Sequence, residues 1–208
     1  MLISPLYGMI DHPPDAERAR GLARGLISGG VRVFQIRMKN VAAASLLSAV
    51  RAVQPLCKEA GALLIVNDRL DVALAAEADG VHLGQEDLPL PAARRLVPSY
   101  FCVGISTHNR TQAEAAFRGG ANYIGFGPCF PTRSKESPDP QVTLDELAEV
   151  CRLPLPVVAI GGITLQTMPL IARAGAQAAA AISAIQEATD VASTAEQLIS
   201  AHRMARPS

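Results

Sequence analysis

Cationic and acidic side chains recur at the ends of apolar runs in this chain. The segment "VFQIRMK" carries Gln35, Arg37 and Lys39 at every second position, so these three share one face of an extended strand. Two later apolar runs are followed by carboxylates, at Asp68 and Asp87. Two carboxylates beside a cluster of cations are typical of a site where Mg²⁺ bridges the protein and a diphosphate. We predict such a site if the fold brings these residues together.

Each carboxylate also has a simpler interpretation. Asp68 could be the N-cap of a helix that starts near Leu70, and Asp87 could stabilise a turn before "LPLPAARRL". For either residue alone, these interpretations are at least as good as metal binding. The metal hypothesis depends on the combination with Arg37 and Lys39.

A second anion site is indicated near the end of the chain. The segments "IGGIT" (160–164) and "ISAI" (182–185) follow the last two apolar runs. Gly161 and Gly162 would allow the backbone to approach a phosphate closely, and a plain tight turn is the alternative.

Eight short apolar runs alternate with helix-compatible segments, which is typical of successive βα units. We expect a (β/α)8 TIM barrel that forms one domain over residues 1–208. An open doubly wound sheet is the competing architecture, but no GxGxxG turn follows the first run. The strand ends of a barrel meet at one mouth, where Asn67, Ser106 and the segment "PTRSK" (131–135) would join the residues above.

Composition narrows the classes of partner and compartment. The 208 residues carry 19 Lys and Arg against 19 Asp and Glu, so the chain lacks the excess of positive charge that nucleic acids or anionic membranes attract. The four cysteines are widely spaced, which argues against a disulfide framework or a structural zinc site. The first residues do not resemble a signal peptide. We expect a cytoplasmic protein that binds small molecules, and a homo-oligomer stays open.

Histidine and cysteine give no sign of nucleophilic catalysis. His82 lies within an apolar run and is interpreted as a hydrogen-bonded core residue, and Cys129 as a small buried one. His12, His108 and His202 show no ligand spacing.

Taken in order, these blocks resemble the thiamine-phosphate synthase family over nearly the whole chain. The resemblance is carried by "LYGMID", "FQIRMK", "VNDRLDVAL", "GVHLGQEDL", "VGISTH", "YIGFGPCFPTRSK", "PVVAIGGIT" and "ISAI". It implies a (β/α)8 barrel enzyme that replaces the diphosphate of a hydroxymethyl-aminopyrimidine with the nitrogen of a thiazole phosphate. The products would be thiamine phosphate and pyrophosphate.

The resemblance also implies a set of site residues. Asp68 and Asp87 would hold Mg²⁺, and Ser106 would lie near the pyrimidine. The pyrimidine diphosphate would be held by Gln35, Arg37, Lys39, Asn67 and Lys135. The thiazole phosphate would be held by Thr132, Ser134, Gly162, Ile182 and Ser183. Arg37, Lys39, Ser106 and Lys135 are expected to take part in catalysis.

The chain departs from the family pattern at three places. Met38 replaces a usual Glu, although its strand parity directs it toward the helices, and Ser134 replaces a usual Thr but keeps a hydroxyl. The eighth run, "AQAAAAISAI", is rich in alanine where the family has Asp-Gly and valines. Two rival functions stay open, a related thiazole tautomerase that would use a histidine near the sixth strand, and a non-catalytic ligand-binding barrel.

Overall fold

The computed structural model describes residues 4–11, 15–132 and 140–206. Eight parallel strands close into a barrel in sequence order, with the last strand paired to the first. The strands are β1 Leu6–Ile10, β2 Val33–Ile36, β3 Leu63–Asn67, β4 Gly80–Leu83, β5 Cys102–Thr107, β6 Tyr123–Phe126, β7 Val157–Ile160 and β8 Ala178–Ala180. The (β/α)8 architecture expected from the sequence is confirmed.

Helices surround the barrel and return the chain from one strand to the next. Their bounds are α1 Ala16–Ser28, α2 Ala43–Glu59, α3 Leu70–Ala75, α4 Leu90–Leu96, α5 Arg110–Arg118, α6 Leu144–Val150, α7 Met168–Arg173, α8 Ser183–Gln186 and α9 Val191–Ala205. The last helix, α9, packs against α1 and α7. Among the described residues, no helix combines the length and the apolar character needed to cross a membrane.

Short polar side chains determine where several helices begin. Asp15 accepts hydrogen bonds from the backbone N–H groups of Glu17 and Arg18 at the start of α1. At the start of α6, Thr143 and Glu146 cap each other reciprocally. These bonds satisfy N–H groups that have no partner within the helix, and they fix where each loop enters its helix.

Strand alternation divides the apolar residues into two layers. One side of each strand faces the helices, where Phe34, Ile36 and Met38 join the main core. The other side faces the barrel interior, where Tyr7 and Tyr123 lie with smaller apolar residues. The position of Met38 agrees with the parity that the sequence indicated, so its replacement of a glutamate lies away from the mouth.

The alanine-rich eighth strand is accommodated by tyrosines in the barrel interior. Ala178 and Ala180 of β8 belong to the interior cluster, and Ala180 pairs in register with Tyr7 of β1. Tyr7 and Tyr123 are both almost fully buried there. Large side chains opposite small ones keep the interior filled, as a packed barrel requires.

Two strands end earlier than the apolar runs that contain them. The second apolar run was expected to remain a strand through Lys39, but β2 ends at Ile36, so Arg37 and Lys39 follow it in the loop. The eighth apolar run continues to Ile185, but β8 ends at Ala180. The segment 182–185 therefore follows the strand as expected, and a one-turn helix starts there at Ser183. In both places the chain leaves the sheet as soon as it reaches the mouth.

Candidate active site

The predicted acids and cations lie at the mouth formed by the carboxyl ends of the strands. Arg37 follows β2, and Asp68 follows β3 directly. Asp87 lies in the loop after β4, and Ser106 is the penultimate residue of β5. The fold therefore places residues from four strand ends at one rim, which is where (β/α)8 barrels carry their chemistry.

Arg37 is held by an ion pair that the sequence pattern did not predict. Its Nη1 donates to Oδ2 of Asp11 at 2.5 Å, and both side chains are largely buried, at 17% and 21% exposure. Asp11 follows β1 just as Asp68 follows β3, so a carboxylate directly after a strand was the available signal. The backbone carbonyl of Asp11 also accepts from Nε2 of Gln186 in α8, which fixes this corner of the mouth.

Asp68 and Asp87 form a carboxylate pair. Partial burial, followed by the hydrogen bond and negative charge of Asp87, raises the pKa of Asp68 to about 6, whereas the charges of Lys39 and Arg37 oppose that rise. Oδ2 of Asp87 accepts from the backbone N–H of Gly84 at 2.6 Å. Two carboxyl groups within hydrogen-bonding reach repel when both are ionised, and a bound cation would relieve this repulsion.

Helix capping does not account for Asp68. In the described part of the chain, Arg69 is the N-cap of α3 and no side chain caps its first turn. Asp68 instead has a positive φ of 61°, and its N–H donates to the carbonyl of His82 at 2.8 Å. The turn interpretation of Asp87 holds in part, because its bond to Gly84 closes the turn after β4.

The other residues expected to contact the pyrimidine diphosphate differ in exposure. Gln35 is 3% exposed and donates to the Tyr7 hydroxyl at 3.1 Å. Asn67 is also buried at the end of β3, whereas Lys39 is exposed in the loop after β2. Ser106 is half-buried, and its Oγ lies 2.9 Å from Nε2 of His82.

The glycine pair after β7 is required by packing. Gly161 and Gly162 have φ values of 94° and 62°, which favour glycine. A Cβ on Gly161 would lie 2.6 Å from Cβ of Pro128, and one on Gly162 would lie 2.6 Å from Cβ of Phe130. The loop after β6 therefore packs directly onto this backbone.

The remaining candidates for the thiazole phosphate lie partly outside the described residues. Ile182 is the N-cap of α8, and Ser183 is its exposed first residue. Thr132 is half-buried in the loop after β6. Ser134 and Lys135 fall within 133–139, outside the described residues.

The buried histidine and cysteine near the mouth lack the character of a catalytic nucleophile or base. Burial lowers the pKa of His82 to about 4, so the imidazole is neutral at neutral pH. Burial raises the pKa of the Cys129 thiol to about 12. Within the described ranges, no group of three or more His, Cys, Asp or Glu side chains is placed to hold a metal. Any metal at this mouth would therefore need ligands beyond the carboxylate pair.

Comparison with known proteins identifies the family of this chain. The family model described as thiamine monophosphate synthase matches residues 6–185, which span all eight strands. The chain belongs to the thiamine monophosphate synthase family. Its family match therefore includes every strand end that contributes to the mouth.

Individual relatives in this family are similar over most of their length. The thiamine-phosphate synthase of Anaeromyxobacter dehalogenans is 48% identical over 185 residues, which cover 88% of this chain and 83% of that protein. The thiamine-phosphate synthase of Methanocella arvoryzae is 47% identical over 178 residues, covering 85% and 84%.

Solved structures give the same result for the fold. Thiamine phosphate pyrophosphorylase from Pyrococcus furiosus superposes with a TM-score of 0.85 at 31% identity, covering 97% of this chain and 96% of that one. A 3-hexulose-6-phosphate synthase has a TM-score of 0.71 at 21% identity, covering 94% and 97%, and shares the fold alone.

Proposed function

We propose that the chain is a thiamine-phosphate synthase that joins hydroxymethyl-aminopyrimidine diphosphate to thiazole phosphate. The carbon–oxygen bond to the diphosphate breaks, a carbon–nitrogen bond to the thiazole forms, and pyrophosphate leaves. The observation that carries this proposal is the unbroken family match over residues 6–185, within which both carboxylates and Arg37 occupy one mouth. The transferase activity follows from the family and from relatives that carry this name.

Asp68 and Asp87 would hold Mg²⁺. The further ligands of this ion would be waters and substrate phosphate oxygens, since Mg²⁺ commonly takes only one or two carboxylates from the protein. The raised pKa of Asp68 supports this assignment, because a divalent cation would offset the repulsion that favours the protonated acid. When bound, the ion would neutralise charge on the departing diphosphate.

The cations of the mouth would bind the diphosphate. Arg37 and Lys39 both act electrostatically on Asp68, so their charges lie close to the proposed metal ligands. The ion pair with Asp11 would orient the Arg37 guanidinium before the substrate arrives. Gln35, Asn67 and Lys135 complete the proposed diphosphate and pyrimidine contacts, with Lys135 outside the described residues.

The thiazole phosphate would bind at the loops after the last strands. Backbone near Gly162, together with Ile182 and Ser183 at the start of α8, supplies N–H groups where barrels of this fold often hold phosphate. Thr132 and Ser134 would contribute hydroxyl groups. The contact between the loop after β6 and the glycine pair supports one continuous site.

The chemistry requires no protein nucleophile. A dissociative departure leaves a methylene cation that the aminopyrimidine ring stabilises, so the protein has to bind the leaving group and align the thiazole nitrogen. Arg37, Lys39 and Lys135 would stabilise the leaving diphosphate, and Ser106 would contact the pyrimidine. The neutral His82 and the protonated Cys129 agree with this assignment.

Two other functions are less well supported. A thiazole tautomerase would use a histidine near the sixth strand, but here Pro128 follows Gly127. A non-catalytic binding barrel would have no need for a carboxylate pair next to an ordered Arg37. The synthase is therefore the function that these residues support best.

A reconstitution with omission controls tests the proposal. Purified protein is incubated with both substrates and Mg²⁺, and thiamine phosphate is detected by the fluorescence of its oxidation product. Product is expected only when both substrates are present, with one pyrophosphate released per thiamine phosphate. Conversion of the carboxylated thiazole phosphate without coupling would indicate the tautomerase instead.

The proposed compartment is the cytoplasm. All four cysteines lie in the described segments and none forms a disulfide, which supports a reducing environment. The proposed partners are the two small-molecule substrates.

A further inference from the structure

Five uncharged polar side chains form a hydrogen-bonded series through the barrel interior, here called the interior series. Nε2 of Gln35 donates to Oη of Tyr7 at 3.1 Å, and this oxygen lies 2.6 Å from Oη of Tyr123. Oη of Tyr123 lies 2.9 Å from Nδ1 of His82, and Nε2 of His82 lies 2.9 Å from Oγ of Ser106. The interior series thus starts within β2 and ends at the mouth on β5.

Glycines on neighbouring strands make room for the interior series. A Cβ on Gly104 would lie 2.1 Å from Cζ of Tyr123, which no ring in this position could tolerate. A Cβ on Gly125 would lie 3.3 Å from Cε1 of His82. Tyr7, Tyr123 and His82 are at most 8% exposed. The arrangement is therefore built into the packing of the barrel and does not depend on solvent.

The donors and acceptors of the interior series fix its direction. The amide nitrogen of Gln35 only donates, so the Tyr7 oxygen accepts from it. Within the part of the chain that is described, the other hydrogen-bond partner of the Tyr7 hydroxyl is Tyr123, so the Tyr7 hydrogen goes to Tyr123. The reverse direction would leave the buried Tyr7 hydrogen without an acceptor, which is unfavourable.

The same reasoning extends to the mouth. Tyr123 accepts from Tyr7 and donates to Nδ1 of His82, so a neutral imidazole carries its proton on Nε2. That proton is donated to Oγ of Ser106. The hydrogen of Ser106 is then left to donate to a group that enters the mouth.

We propose that Tyr7, Tyr123 and His82 are positioning residues that present Ser106 as a hydrogen-bond donor and thereby select a substrate ring with an acceptor nitrogen. This inference rests on the proposed function, in which Ser106 contacts the pyrimidine. The ring nitrogen next to the amino group of an aminopyrimidine is an acceptor. In the analogue with oxygen in place of that amino group, the same ring nitrogen carries a hydrogen and is a donor. The Ser106 hydroxyl would then face a second donor and could not form a hydrogen bond with it. A site arranged in this way discriminates strongly against the mismatched ring.

The tautomer of His82 tests the direction of the series without any substrate. ¹⁵N NMR of histidine-labelled protein near neutral pH separates the two neutral tautomers, and a His82→Gln variant assigns the signal among the four histidines. We expect a proton on Nε2 and an unprotonated Nδ1. A proton on Nδ1, or a charged ring, would overturn the proposed direction.

Tyr123→Phe tests the consequence for specificity. It keeps the ring in the space that Gly104 leaves and removes only the hydroxyl. We expect the wild type to prefer the aminopyrimidine diphosphate over the oxygen analogue by at least about 100-fold in kcat/KM. This preference should shrink about tenfold in the variant, with KM for thiazole phosphate unchanged. The difference in intrinsic reactivity between the two rings cancels in this comparison.

Matched variants complete the experiment. Tyr100→Phe, at a tyrosine that is 87% exposed, should leave the preference and the His82 signal unchanged. Tyr7→Phe should reproduce the effect of Tyr123→Phe, and it replaces that variant if Tyr123→Phe does not fold. An unchanged preference in a folded variant would refute the positioning of Ser106. If the wild type makes no thiamine phosphate, the proposed function fails, whereas the His82 tautomer still decides the direction of the series.

Discussion

Single side chains at the mouth are held by partners that lie far away in the sequence. The residue types at Arg37, Asp68 and Asp87 were enough to predict a site for a metal and a diphosphate, because acids and cations that gather at strand ends seldom serve packing alone. The ion pair between Arg37 and Asp11 could not be predicted in this way. It depends on the side-chain directions that closure of the barrel imposes on β1 and β2.

The hydrogen-bond partners of His82 also could not be predicted from the sequence. Its position in an apolar run correctly predicted a buried, hydrogen-bonded histidine. Its contacts with Tyr123 and Ser106 depend on the relative registers of β4, β5 and β6, which a linear pattern does not contain. The sequence therefore predicted candidate residues at the rim, and the structure adds the interior residues that are hydrogen-bonded to one of them, Ser106.

Asp68→Asn tests the carboxylate pair. Asparagine tolerates the positive φ at this position, so the backbone should keep its conformation. We expect Mg²⁺-dependent turnover to fall at least about 100-fold, because a metal ligand is lost. Without metal, we expect Tm to rise by about 2 °C near pH 8, since the repulsion with Asp87 is removed and is partly screened by solvent.

Asp71→Asn is the matched control for this change. Asp71 lies on α3, three residues after Asp68. It is an exposed carboxylate that forms an ion pair with Arg69. Its substitution should leave turnover close to that of the wild type. Full Mg²⁺-dependent activity in Asp68→Asn would contradict the assignment of Asp68 as a metal ligand.

The sequence predicted the order of the strands and helices better than it predicted the points at which the strands end. The alternation of eight strands with helices was predictable from hydrophobic period alone, and so was the outward direction of Met38. The points at which β2 and β8 end were not predictable, because the alternation of polar and apolar residues continues past Ile36 and apolar residues continue past Ala180.

Gly162→Ala tests the contact between the loop after β6 and the loop after β7. The positive φ and the overlap with Phe130 predict a loss of about 1–3 kcal/mol in the free energy of unfolding. Under the proposed function, KM for thiazole phosphate should also rise, because the loop after β6 has to shift. Urea denaturation and steady-state kinetics measure the two effects.

Gly21→Ala is the control for this substitution. Gly21 lies in α1, and a Cβ there would meet nothing within 4 Å. The change should stabilise the protein by about 0.5–1 kcal/mol and leave kinetics unchanged. Equal effects of the two substitutions would show that the overlap at Gly162 does not constrain the loop.

For the whole molecule, the net charge bears on the attraction of substrates, and the acids of the mouth bear on how stability changes with pH. The chain has a formal net charge of zero, so attraction of phosphorylated substrates has to come from the mouth itself. The acids of the mouth should also make stability depend on pH. Burial and Asp87 raise the pKa of Asp68 from its ordinary value of 3.8 to about 6.

Asp68 should therefore lower stability as pH rises. Between about pH 4 and about pH 6 the folded chain holds a proton that the unfolded chain has released, so the free energy of unfolding falls across this window. Other carboxylates with lowered pKa, such as Asp71 and Glu114, contribute in the opposite direction. The difference between wild type and Asp68→Asn isolates the contribution of Asp68.

Thermal unfolding over this window, with and without Mg²⁺, provides the measurement. Without metal, the Tm of the wild type should fall relative to Asp68→Asn as pH rises. Any Tm increase caused by Mg²⁺ should grow over the same window, because the ion competes with the proton for the carboxylate pair. A Tm difference that does not change with pH would show that Asp68 titrates normally.

The Mg²⁺ dependence of thiamine phosphate formation by the wild-type protein tests the proposed metal site most directly. We predict that EDTA abolishes product formation from the two substrates, and that added Mg²⁺ restores it with one pyrophosphate released per thiamine phosphate. Equal rates of product formation with Mg²⁺ and with EDTA would contradict the proposed metal site at Asp68 and Asp87.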